Sequence, residues 1–164
     1  MLRVANILNE SVVDGIGIRL VVFFQGCKHF CPGCHNPELL PVEGGTDYLV
    51  EELAEKILKN LTLLHKGVTF SGGDPLLQAE ELTRLIKCLR KQKPDMNIWT
   101  YTGYEYERIR DWEVLQGIDI LVDGRFEEAK KDLTLRFKGS YNQRIINVKA
   151  SLQKACVVEY ELPD

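Results

Sequence analysis

The sequence predicts an α/β fold built on a mainly parallel sheet. Three observations carry this. Runs of β-branched and aromatic residues alternate with amphipathic stretches of helical period. Glycine-rich turns stand at the ends of the apolar runs. The 164 residues suit one domain with one core. Strand–helix alternation implies right-handed βαβ units. The expected organisation is a single domain, 1–164, with a short C-terminal extension from about residue 150.

The elements follow in order. Arg19 to Phe24 reads as a buried strand, and Gln25 to Pro37, with two glycines and two prolines, as a loop. After a turn over Pro41 to Gly45, Thr46 or Asp47 is expected to cap a helix running to about Leu64, with Leu49, Leu53, Ile57, Leu58 and Leu61 on one face. Val68 to Phe70 is a short strand, broken by Ser71-Gly72-Gly73-Asp74-Pro75. A helix follows over about Leu77 to Arg90, striped by Leu82, Leu85, Ile86 and Leu89. Asn97 to Tyr101 is a third strand, Glu105 to Leu115 a poorer helix, and Ile118 to Val122 a fourth strand closed by Asp123-Gly124. Ile145 to Val148 and Cys156 to Tyr160 read as short strands.

Composition excludes several classes. Hydrophobic content of 45% and charged content of 27% describe a globular chain rather than a disordered one. A net charge of −3 gives no bulk attraction to nucleic acid or to an anionic membrane. No apolar run approaches a membrane span, and the first residues lack a signal-peptide pattern, so a cytoplasmic protein is expected. In that compartment the five cysteines read as metal or redox chemistry rather than as disulfides. Cys88 and Cys156, isolated in the chain, are expected to be small buried hydrophobes.

In parallel sheets ligands bind beyond the carboxyl ends of the strands. The unusual residues cluster there: the cysteine loop after the first strand, Ser71 to Pro75 after the second, Tyr101-Thr102-Gly103 after the third, Asp123-Gly124 after the fourth. The loop places Cys27, Cys31 and Cys34 within eight residues, as C-x3-C-x2-C. Structural zinc would need a fourth ligand, which His29 or His35 offers, but the spacing lacks a second ligand pair. An electron-transfer cluster also uses four cysteines. A 4Fe-4S cluster on three thiolates keeps one iron open to a ligand.

C-x3-C-x2-C at a strand end resembles the radical S-adenosylmethionine (SAM) superfamily. The resemblance implies that Cys27, Cys31 and Cys34 hold a 4Fe-4S cluster whose open iron chelates the amino and carboxylate groups of SAM. It implies one-electron cleavage of SAM and a deoxyadenosyl radical that abstracts a hydrogen atom. Gly72, Gly73, Asp74 and Pro75 match the family's motif for the SAM amino group. The aromatic residue usual before the third cysteine is replaced by Gly33, so His35, or the backbone of Gly33, Cys34 and His35, is expected to take the adenine.

Asp14-Gly15-Ile16-Gly17-Ile18-Arg19 is similar to the D-G-P-G-I-R run of glycyl-radical enzyme activases, with isoleucine in place of proline. Cys34-His35-Asn36-Pro37-Glu38 is typical of the same group. Ile98 to Tyr104, Leu121 to Phe126 and Phe137 to Arg144 resemble the activases of anaerobic ribonucleotide reductase. That implies a protein substrate, the reductase, and a low-potential electron donor, with no direct role for nucleic acid or membrane. A closed eight-fold barrel takes about 250 residues, so a curved partial (βα) barrel with an open side is expected, covered by the reductase. Arg19 is expected to pair with a carboxylate near SAM or at the surface. Asp123 is expected to face the partner or cap a turn, and Trp99 and Tyr101 to pack in the core. The competing readings are a zinc-stabilised binding module and a radical SAM enzyme acting on another glycyl-radical enzyme or on a small molecule.

Overall fold

In the computed structural model, which describes residues 1–164, seven strands form one sheet. In chain order they are β1 (Leu2–Ser11), β2 (Ile18–Phe24), β3 (Thr46–Tyr48), β4 (His65–Gly72), β5 (Asn97–Tyr101), β6 (Ile120–Asp123) and β7 (Arg144–Asn147). Across the sheet the order is β3-β1-β2-β4-β5-β6-β7. The central strands β2, β4, β5 and β6 are parallel. The outer strands β1, β3 and β7 join antiparallel. The ends, β3 and β7, do not pair with each other, so the sheet is the open, partial barrel expected.

The helices are α1 (Val50–Asn60), α2 (Ala79–Gln92), the single turn α3 (Tyr106–Ile109) and α4 (Val148–Lys154). Period-two alternation sends Leu20, Val22 and Phe24 of β2 toward the helices. There they join Leu53 and Ile57 of α1 and Leu82, Leu85, Ile86 and Leu89 of α2 in a core of 26 buried residues. The opposite face holds a much smaller cluster of four buried apolar residues, Trp99, Ile120, Val122 and Ile145, with Phe137, Tyr160 and Leu162 packed over them. At about 1.5–3 kcal/mol per fully buried aliphatic or aromatic side chain, the helix face carries most of the stability. The sparse face is left free for a site.

Arg19 is fully buried and has no carboxylate bonded to it, contrary to expectation. Its Nε donates to Thr69 Oγ1 at 2.7 Å, and its terminal nitrogens donate to the carbonyls of Ile16, Val68 and Asn97 at 2.9–3.0 Å. The guanidinium lies 5.6 Å from the Trp99 ring centroid. Burial pulls its pKa down to about 10, which leaves it charged at neutral pH. Thr69 in turn donates to the Asp14 carbonyl at 2.7 Å. Arg19 is therefore the internal strut of the 12–17 turn rather than a partner of SAM.

Several boundaries differ from expectation. Strand β1 was not anticipated, and Thr46 to Tyr48 pair with Leu2 to Val4 instead of capping a helix. Helix α1 starts after Leu49, whose N–H bonds the Glu52 carboxylate at 3.2 Å, and stops at Asn60 because the chain turns extended into β4. The expected Glu105–Leu115 helix is a single turn followed by a 3-10 segment, Glu113–Gly117. Residues 156–160 form no full strand. They follow β7 through two backbone bonds, Asn147 N–H to Val158 O and Tyr160 N–H to Ile145 O. Cys88 packs partly buried against the core as expected, but Cys156 is exposed.

Replacing Arg19 by Met removes every one of these donors while keeping an apolar stem. The expected loss is about 3 kcal/mol or more, because several carbonyls lose their partner in the interior. Urea unfolding reads it as a lower midpoint at unchanged slope. A change below about 1 kcal/mol contradicts the strut.

Candidate functional site

The site begins where β2 and β4 end side by side, with Phe24 opposite Gly72. The pairing continues beyond the strands. Gly73 N–H donates to Phe24 O at 2.9 Å, and Asp74 N–H to Gly26 O at 2.8 Å. Gly72 has φ +107°, which side chains rarely adopt. A Cβ on Gly73 would lie 2.2 Å from Gly26 O. The double glycine thus lets two main chains touch, and the cysteine loop starts as an extension of the sheet. Gly26 N–H to Leu39 O at 2.7 Å and Cys27 N–H to Leu40 O at 3.0 Å pin the loop's far end.

Asp74 locks this arrangement. Its carboxylate is almost fully buried and accepts four hydrogen bonds. Oδ1 takes Leu76 N–H at 2.9 Å. Oδ2 takes Thr102 Oγ1 and Gly103 N–H, both at 2.9 Å, and meets His29 Nε2 at 2.6 Å. One carboxylate therefore ties together the loops that follow β2, β4 and β5.

A cleft of about 790 Å³ opens beside this hub. Cys27, Cys31 and Cys34 line it, together with Gly72, Gly73, Gly103, Gly124 and Gly139. Much of its wall is bare main chain, which offers carbonyl and N–H groups to a ligand at close range. All five cysteines are free thiols. Burial pushes the Cys27 thiol up, partly offset by the His29 N–H, which reaches its Sγ at 3.5 Å. Burial also raises Cys31, with the Phe126 N–H opposing. A metal that takes these sulfurs must release their protons. The three sulfurs do not converge on a point that seats a single ion. Arg136 and Lys138, also in the lining, supply positive charge.

The four predicted strand-end motifs do meet at this rim. Cys34, His35, Gly72 and Gly73 reach the cleft. His35 packs edge-on against Phe126, ring centroids 4.9 Å apart. Gly33 is exposed outside the lining, its Cα facing the Glu128 carboxylate. Asp74 supports the wall from behind rather than lining it. Asp123 points to the helix side, where its Oδ2 accepts from Tyr106 N–H at 2.8 Å and from Arg144 at 2.6 Å. Trp99 packs in the small core, while Tyr101 reaches the cleft.

Sequence reasoning missed Val12 and Val13, which line the cleft while 66% and 72% exposed. It also missed the inward role of His29. The signal available for His29 was its place between two cysteines on a loop already tied to Asp74's motif.

Gly73→Ala is expected to cost about 1–3 kcal/mol, as overpacking does, because the three nearest obstacles, Gly26 O, Gly26 C and Leu39 O, are all main chain. Hydrogen exchange should quicken across residues 25–40 and stay unchanged in α1. Uniform quickening, or none, contradicts the docking role.

Comparison with known proteins places the chain. The family described as a 4Fe-4S single cluster domain matches residues 13–146. An anaerobic ribonucleoside-triphosphate reductase-activating protein of Haemophilus influenzae is 35% identical over 145 residues, covering 85% of this chain and 94% of its own. Proteins of the same name from Enterobacteria phage T4 and Escherichia coli K12 are 36% and 32% identical, over 81% and 85% of this chain and 86% and 94% of their own. Among solved structures, QueE from Escherichia coli overlaps 62% of this chain and 52% of its own, at 17% identity and TM-score 0.45. The matched span includes the whole cysteine loop and every strand of the parallel sheet, and the chain belongs to the family of anaerobic ribonucleoside-triphosphate reductase-activating proteins, with a 4Fe-4S single cluster domain.

Proposed function

We propose that this protein is a radical SAM enzyme that activates an anaerobic ribonucleoside-triphosphate reductase by generating a glycyl radical on it, in the cytoplasm, using an external low-potential electron donor. The observation that carries the reading is the three-thiol loop docked on a double-glycine strand end, in a chain of this family. When bound and reduced, a 4Fe-4S cluster supplies the electron that cleaves SAM so that a hydrogen atom can be taken from a glycine of the reductase.

The residues fit that group. Cys27, Cys31 and Cys34 offer three thiolates and no fourth, which leaves one iron for SAM. A cluster takes each thiolate on an iron of its own, so the sulfurs need share only a cleft, as they do here. Gly72 and Gly73 are placed to present main-chain carbonyls to the SAM ammonium. His35 and the backbone around Gly33 and Cys34 are the candidates for the adenine. Asp74 acts on SAM only through the wall that it holds. Arg136 and Lys138 offset negative charge from thiolates and from the SAM carboxylate.

A macromolecular substrate suits the cleft better than a small heterocycle. The cleft is open, and exposed apolar side chains stand nearby: Val12, Val13, Phe30 on the cysteine loop and Leu133 on the 124–143 loop, each at least 66% exposed. These side chains offer apolar contacts to a macromolecule seated over the opening. Water must be kept from the reacting atoms, and the reductase itself would supply the cover. No helix is long and apolar enough to cross a membrane.

The test is electron paramagnetic resonance on anaerobically reconstituted, reduced protein given SAM and the reductase. A glycyl doublet on the reductase is expected. Ser at Cys27, Cys31 or Cys34 should abolish it and lower bound iron and sulfide, whereas Cys88→Ser and Cys156→Ser should leave both unchanged. Stoichiometric zinc without sulfide would return the chain to the binding modules. SAM cleavage indifferent to the reductase would point to a small-molecule substrate.

A further inference from the structure

Three residues separate Cys27 from Cys31, and they behave differently. Lys28 is exposed, and Phe30 is 68% exposed with φ +51°. The side chain of His29, between them, is only 6% exposed. Its Nε2 bonds Asp74 Oδ2 at 2.6 Å. The carboxylate can only accept, so Nε2 carries the hydrogen. Tyr104 meets the ring edge-on at 4.7 Å. Gly103 forms its floor: a Cβ there would lie 2.5 Å from the ring Cδ2. The ring is thus held by a hydrogen bond, an aromatic contact and a glycine seat, from residues after β4 and β5. The main-chain N–H of the same residue reaches Cys27 Sγ at 3.5 Å.

We propose that His29 is a positioning residue for the iron–sulfur cluster: its anchored ring fixes the Cys27–Cys31 segment and aims the His29 N–H at the Cys27 sulfur. This rests on the reading that Cys27, Cys31 and Cys34 hold the cluster. Two consequences follow. Outer partners of a ligating residue orient it and strengthen metal retention. An N–H bonded to a ligating sulfur stabilises the more negative, reduced cluster and so raises its potential. Loss of the anchor should weaken retention and make the cluster harder to reduce. His29 also lines the cleft, but its Nε2 is committed to Asp74, so its role runs through the Cys27–Cys31 segment.

Three variants separate the anchor from mere filling. His29→Phe keeps the ring against Tyr104 but cannot donate to Asp74. His29→Gln keeps an N–H donor of similar reach. His29→Ala removes both. Each is reconstituted anaerobically, checked for its apo-protein unfolding midpoint, and measured in two ways: rate of cluster loss to an iron chelator, and midpoint potential by electron paramagnetic resonance. With Phe and Ala, cluster retention is expected to fall by about 10- to 100-fold, the range for outer partners of metal ligands, with a more negative midpoint. Gln should restore both. Phe and Ala variants that keep wild-type retention and potential overturn the proposal, and so does a Gln variant as impaired as Ala. A wild-type protein that takes up no iron and sulfide would instead remove the cluster reading on which the proposal stands.

Discussion

At Gly73 the main chain approaches that of Gly26 so closely that a Cβ on Gly73 would lie 2.2 Å from Gly26 O. The rest of the site depends on that contact. It carries the β2–β4 pairing past the strand ends, and the cysteine loop inherits the rigidity of the sheet. The carboxylate of Asp74, one residue on, extends the same constraint to β5 by accepting from Thr102, Gly103 and His29. A buried carboxylate is costly unless its lone pairs are satisfied. With four partners it becomes a clamp rather than a liability, and it explains how irregular loops hold three thiols on one wall.

The two faces of the sheet divide the work. Helices α1 and α2 cover one with the main core, so the sheet is stable without help from the other. The opposite face spends little apolar surface on packing. It carries a buried guanidinium, a small aromatic cluster and, at its carboxyl end, the cleft. Arg19 belongs to this economy. It satisfies strand and turn carbonyls that would otherwise lie bare, and it holds the 12–17 turn whose Val12 and Val13 flank the opening. An unclosed barrel is a weak container for radical chemistry but a good platform for a substrate that brings its own lid.

The parallel half of the fold was legible because it is local. β-branched runs, helical stripes and glycine turns sit next to one another along β2, β4, β5 and β6. The convergence of their ends follows from the parallel order of the strands, which βαβ alternation implies, and that is why the rim is legible in the sequence. What stayed hidden depends on distant partners. Strand β1 forms by pairing with β2 and Thr46 to Tyr48 by pairing with Leu2 to Val4, and Asp47 looks like a helix cap until Arg3 is placed beside it at 2.9 Å. Arg19 and Asp74 carry charges, which composition assigns to the surface; their burial follows from bonds to residues as far as 78 positions away. His29 offered a ligand atom to sequence reasoning and is turned instead toward a carboxylate.

The central claim is that three thiols, and no fourth protein ligand, leave one iron for SAM. Mössbauer spectroscopy tests it most directly, on protein reconstituted with isotopically enriched iron and measured before and after SAM is added. The account predicts that one of the four iron sites changes its spectrum on addition of SAM while the other three keep theirs. Four sites that respond alike, or none that respond, would contradict it.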